Sequence, residues 1–169
     1  MSRPDLPPSA PPARGRGLYY EQFNVGDEYE TSGRTLFEAD IVNFMGLSGV
    51  YEEIYSNVEY AKRESLFQRR FGPGPLTFIL AEGLAIQLGL LDRTGMALLE
   101  TNIKLTGPLF LGDTFFVRVT VTARRETSKP DRGIVFFEHQ VLKTTGEQVA
   151  TITKTRMVRR RPDQGVPGE

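Results

Sequence analysis

From Pro75 to Leu90 the chain is apolar at nearly every position, and only Thr77, Glu82 and Gln87 bring polar groups. The run opens with Phe71-Gly72-Pro73-Gly74-Pro75, where proline pre-sets φ for a first helical turn. A helix that is apolar all round is enclosed on all sides. This one falls short of the about 20 apolar residues that a membrane span needs. The C-terminal half of the chain is suited to wrap it. Four stretches, 96–106, 114–125, 134–143 and 149–159, read as strands, and Phe115, Val117, Val119 and Val121 alternate with Phe116, Arg118, Thr120 and Thr122. Breaks at Gly107-Pro108, Gly112-Asp113, Ser128 to Gly133 and Thr145-Gly146-Glu147 separate them. Period-two patterning with tight polar turns predicts an antiparallel meander curved around the helix, an α+β domain.

The first half is less regular. Phe23 and Val25 lead into the Gly26-Asp27 turn, and a short strand is expected over Glu28 to Ser32. Thr35-Leu36-Phe37-Glu38 fits a capping box, followed by Phe37, Ile41, Phe44 and Met45 at helical spacing as far as Gly46. Ser48 to Ser56 reads as an irregular loop. A second short helix is expected from Asn57, as N-cap, through Ala61 and Phe67. Lys62, Arg63, Arg69 and Arg70 form a basic cluster, read as a solvated helix face in preference to a phosphate contact. Residues 1–17, with five of the eleven prolines, and 162–169 are expected to be flexible tails around one domain over 18–161.

Composition narrows the chemistry. Lysine plus arginine balance aspartate plus glutamate at 21 each, so no overall charge favours nucleic acid or an anionic membrane. There is no cysteine, which removes disulfides, thiolate metal sites and cysteine nucleophiles together. The single histidine, His139, speaks against a serine-type triad or a multi-histidine metal site. No apolar run succeeds the start as in a secretory signal, and the default expectation is a cytoplasmic protein without a metal.

The order of these pieces carries a resemblance. Arg34-Thr35 with Asp40-Ile41 and Phe44, Leu47-Ser48-Gly49, Tyr60-Ala61, Gly74 through Leu84, Gly112-Asp113, and Gly146-Glu147 with Met157-Val158 together resemble the MaoC-like acyl-CoA hydratase/dehydratase family. The resemblance runs from about Tyr20 to Arg161 and implies a hot-dog fold. It also implies an acyl-CoA or related thioester as ligand, with coenzyme A as part of the substrate and no separate cofactor. Two copies would join their sheets side by side, as a homodimer or an assembly of dimers. The family's usual aspartate and histidine, which hold and deprotonate a water, fall here on Val50 and Tyr55. Val50 does not titrate, and a tyrosine at its ordinary pKa of ~10 is a poor base.

Other candidates come from that resemblance and from the residues themselves. Gly72 and Gly74 stand where free N–H groups at a helix start favour negative charge, and the resemblance implies an oxyanion contact to a thioester carbonyl there. Glu82 is a carboxylate within an apolar helix, where burial without a cation would raise its pKa. It is either a thioesterase-type nucleophile or base, or a helix-face carboxylate paired with arginine or lining a subunit boundary. Glu52 and Glu53 are candidate bases next to Tyr55, or simply exposed loop charges. His139 is in phase with Val135, Phe137 and Val141 and is expected in the core. Three functions stay open: a hydratase/dehydratase with atypical acid–base groups, a thioesterase using Glu82, and a non-catalytic acyl-CoA-binding or partner subunit.

Overall fold

The computed structural model describes residues 17–162. The tails expected over 1–17 and 162–169 lie outside them, apart from Gly17 and Pro162. Gly17 is buried, and its N–H donates to the Asp92 carbonyl at 2.8 Å.

After a 3-10 turn at Tyr20–Gln22 come two short strands, β1 (Glu28–Glu30) and β2 (Arg34–Thr35). Three helices come next: α1 (Glu38–Ser48), α2 (Glu53–Ser56) and α3 (Val58–Glu64). The central helix α4 spans Gly74–Gln87, and β3 (Gly95–Leu105), β4 (Thr114–Glu126), β5 (Arg132–Lys143) and β6 (Gln148–Arg159) complete the chain. All pairings are antiparallel, in the order β1-β4-β5-β6-β3, with β2 also on β4.

The expected meander therefore holds for β4, β5 and β6, while β3 crosses the sheet and pairs with β6 instead of its sequence neighbour. The period-two reading holds along β4 and β5. Phe115, Val117, Val119 and Val121 are buried, as are Val135, Phe137, His139 and Val141. Val119 lies opposite His139 in the register.

Three local expectations change. Thr35 does not cap α1; it is in β2, where its hydroxyl meets that of Thr114 at 2.7 Å. The carboxylate that closes the start of α1 is Asp40, which accepts the Phe37 N–H at 2.9 Å. The stretch after Ser48 is not wholly irregular, since Glu53–Ser56 forms one helical turn. Asn57 does cap α3, accepting the Tyr60 N–H at 3.0 Å, but that helix ends at Glu64 and the chain reverses through Gln68, at φ 53°.

The central helix buries Leu76, Thr77, Leu80, Ala81 and Leu84 against the sheet. It is not enclosed on all sides by its own chain, because Ile79 and Ile86 remain 50% and 61% exposed. Glu82, one turn from each, ion-pairs with Arg156, which sits opposite Leu98 of β3. The open flank of α4 is thus continuous with the sheet edge at β3. There Leu98, Leu99, Ile103 and Leu105 are between 41% and 50% exposed.

Candidate functional site at the start of the central helix

A hollow of about 340 Å³ opens at the first turn of α4, lined among others by Tyr55, Phe71, Gly72, Gly74, Thr77 and Leu105. The sequence places the backbone donors here. Pro75 has no N–H, and the N–H groups of Leu76 and Thr77 already reach back to the Pro73 carbonyl at 2.9 and 3.2 Å. That of Gly72 is committed to the Leu109 carbonyl at 2.8 Å. The Gly74 N–H finds no described acceptor, so of the backbone donors at this turn it is the one left open, at the positive end of the helix. A side chain at Gly74 would put its Cβ 2.4 Å from Leu105 Cδ1, so glycine lets the edge strand close over the helix start. Gly72 is buried with Leu36 and Leu109 around it and acts as packing.

Tyr55 brings the second polar group. Its ring stands edge-on to Phe71, with centroids 5.4 Å apart, and its hydroxyl makes no hydrogen bond with a described residue. Burial, and next the Glu52 carboxylate, push its phenol above the ordinary value. Tyr55 is therefore a hydrogen-bond donor in this place and not a base at neutral pH. Arg70 fixes its position. The Arg70 Nε donates to the Tyr55 carbonyl at 2.6 Å, and its other arm reaches Glu38 at 2.7 Å. The basic cluster is expected on a solvated face, yet the Arg70 side chain is only 11% exposed. The signal that could have found it is its place directly before the Phe71-Gly72 turn, inside the compact unit that carries Tyr55.

The remaining candidates are not gathered in this hollow. Val50 is half-buried and packs against the hydrophobic core. Glu52 and Glu53 are exposed, Glu52 being near enough to act on the Tyr55 phenol. Glu82 lies two turns along α4 and is ion-paired with both Lys154 and Arg156. A carboxylate held by two cations stays charged and is poorly placed as a nucleophile.

Lys154 is fully buried, and burial followed by the Arg156 charge lowers its ammonium to about 7. The period-two phase of β6 could have revealed it, since Ala150, Ile152, Lys154 and Val158 share one face. His139 lies in the same neighbourhood, bordering a void of about 40 Å³ with Glu82 and Arg156. Burial, with Arg156 second, pushes its imidazole down to about 4, so it stays neutral. Among the described residues no group of three or more histidine, cysteine, aspartate or glutamate side chains could hold a metal ion. No described helix is long and apolar enough to cross a membrane.

Known proteins share this fold. The sequence is 36% identical to the protein MaoC of Klebsiella aerogenes over 115 residues, which is 68% of this chain and 33% of that protein. The chain thus spans about a third of the length of that relative. A MaoC-like dehydratase from Rhodospirillum rubrum superimposes with a TM-score of 0.79 at 30% identity, covering 86% of this chain and 99% of that one. A Mycobacterium tuberculosis protein described as having a double hotdog fold gives a TM-score of 0.77 at 18% identity. That match covers 90% of this chain and 47% of the other. The family model for mesaconyl-CoA hydratase matches residues 10–168. With the hot-dog architecture and these relatives in place, the chain belongs to the mesaconyl-CoA hydratase family, within the MaoC-like group of hydratases and dehydratases.

Proposed function

We propose that this protein binds a short 2-enoyl or hydroxyacyl thioester of coenzyme A and interconverts the two by adding or removing water. The observation that carries this is the presence of one free backbone donor, Gly74 N–H, and of Tyr55 in the lining of one hollow, which Phe67, Phe71 and Leu105 make largely apolar. Gly74 polarises the thioester carbonyl from the positive end of α4. Tyr55 donates a second hydrogen bond to the substrate. Glu52, exposed beside the hollow and acting on Tyr55 through its charge, takes the proton from water as the water oxygen bonds to the β-carbon, and returns it to the α-carbon. General acid–base help of this kind contributes about 10² to 10⁴ in rate. With Val50 in place of a carboxylate, straight-chain enoyl thioesters such as crotonyl-CoA turn over slowly. Mesaconyl-CoA, named by the family, is the first substrate to try.

A homodimer completes this reading. The exposed apolar flank of α4 and the unpaired backbone edge of β3 are left open by one chain, and folded proteins cover such edges. The hot-dog relative with two such units in one polypeptide supports a second copy as the cover.

The test is an assay of mesaconyl-CoA, crotonyl-CoA and saturated acyl-CoAs for loss of the enoyl absorbance and for CoA release. Hydration of mesaconyl-CoA that falls at least ~10-fold in Tyr55→Phe and Glu52→Gln supports the proposal. CoA release that depends on Glu82 would replace it with a thioesterase. Tight binding with no turnover would assign the chain to the non-catalytic class instead.

A further inference from the structure

A second hollow, of about 720 Å³, lies at the opposite end of the sheet and is lined by Tyr19, Arg93, Pro130, Asp131 and the run Arg159-Arg160-Arg161-Pro162. Four arginines line it. Arg160 is held by Glu21 at 2.9 Å and by Glu126 at 2.9 Å. Asp131, the carboxylate in the lining, is gripped on both oxygens by Arg132 at 2.8 and 2.7 Å. The side chains of Arg93, Arg159 and Arg161 form no ion pair with a described carboxylate. Arg93 is moreover held at φ 60°, a backbone state that a non-glycine residue rarely adopts. Exposed arginines that close no ion pair, with only the already gripped Asp131 acting on Arg159, line one hollow and suit a phosphorylated ligand.

Its position decides which ligand. The Arg159 N–H donates to the Thr94 carbonyl at 2.8 Å, which places the hollow at the start of β3. The Gly74 mouth lies at the other end of the same strand, under Leu105. The eleven residues of β3 separate the two ends by about 35 Å. A pantetheine arm is equivalent to about four extended residues, roughly 15 Å, and does not bridge them within one chain. A two-fold axis through the middle of β3 changes this. Antiparallel pairing of the two open edges brings Gly95 of one copy opposite Leu105 of the other, and the arginine hollow of one beside the mouth of the other.

Resting on the thioester and dimer reading above, we propose that Arg93, Arg159 and Arg161 of one copy bind the phosphates of the coenzyme A thioester whose acyl end is held at Gly74 of the other. Each dimer then holds two sites, and neither site is complete in one chain. Three of the cations closer to the mouth in the same chain are otherwise engaged, while Lys104, beside Leu105, is exposed and closes no ion pair with a described residue. Lys62 pairs with Glu59, Arg70 with Glu38, and Arg69 stacks on the Phe110 ring at 3.4 Å.

The experiment uses the full chain, with Arg93→Gln, Arg159→Gln and Arg161→Gln combined, and compares crotonyl-CoA with crotonyl-pantetheine by calorimetry. The expected result is a loss of at least ~10-fold in affinity for crotonyl-CoA, with crotonyl-pantetheine unchanged. Copurified mixed dimers of this variant with Gly74→Val then separate the two geometries. Arginines acting across the interface leave one tight crotonyl-CoA site per dimer, whereas arginines acting within a chain leave none. Wild-type affinity in the arginine variant, or a mixed dimer without a tight site, overturns the proposal and leaves the thioester reading standing. A wild type that binds neither probe overturns both.

Discussion

Glu82 answers two cations with one carboxylate, and that ties its fate to stability more than to turnover. Removing it strands Lys154 and Arg156 together under α4. Glu82→Ala is expected to cost about 3 kcal/mol, read as a lower urea midpoint. His139 is a second residue whose burial has a measurable cost. Its folded pKa is pushed from 6.5 to about 4 by burial first and Arg156 second. The unfolded chain takes up a proton below 6.5, whereas the folded chain refuses it until about pH 4. The stability it allows is therefore full above pH 6.5 and lost as pH falls towards 4, by on the order of 3 kcal/mol. Urea titrations at pH 7, 6, 5 and 4 should show that slope in the wild type and a flatter one in His139→Phe. An unchanged slope in the variant would assign the acid sensitivity to other groups.

At the scale of elements, the strands were legible because their side-chain phase is also their burial pattern, as β4 and β5 show residue by residue. The partner of β3 was not legible, because alternation fixes which face a residue takes and not which neighbour the strand finds. Thr35 misled for a similar reason: a hydroxyl three residues before Glu38 suits a cap, but the Thr114 hydroxyl and the β4 backbone captured it first. Of the site, Gly74 and Tyr55 are named from sequence and share one hollow, and Glu82 is the arginine-paired helix carboxylate that the sequence also offers, with Lys154 a second partner that the β6 phase brings under the helix. Arg70, missed as a surface charge, links α1 to α2 through Glu38 and the Tyr55 carbonyl. Arg70→Ala should destabilise by about 2 kcal/mol. Backbone amides over 53–64 should then exchange faster by hydrogen–deuterium mass spectrometry, with α4 unaffected. Equal loosening of α4 would mean that Arg70 supports the whole core and not the tyrosine loop.

For the whole molecule, the open edge at β3 and the bare flank of α4 are the surfaces on which the proposed dimer rests. Ile103→Glu places a charge on that exposed edge, and sedimentation at micromolar concentration should move from a dimer towards a single chain. A wild type that already sediments as one chain removes the dimer. The contact of Leu105 with the start of α4 extends the point. On the proposed dimer, the side chain nearest Gly74 belongs to the strand that joins the two copies, so self-association and ligand capture become one linked equilibrium. By mass action a thioester that favours the paired form tightens the dimer, and dilution weakens apparent affinity without any change in the site. Binding curves taken at different protein concentrations would then fail to superimpose, and the spread between them would measure the coupling.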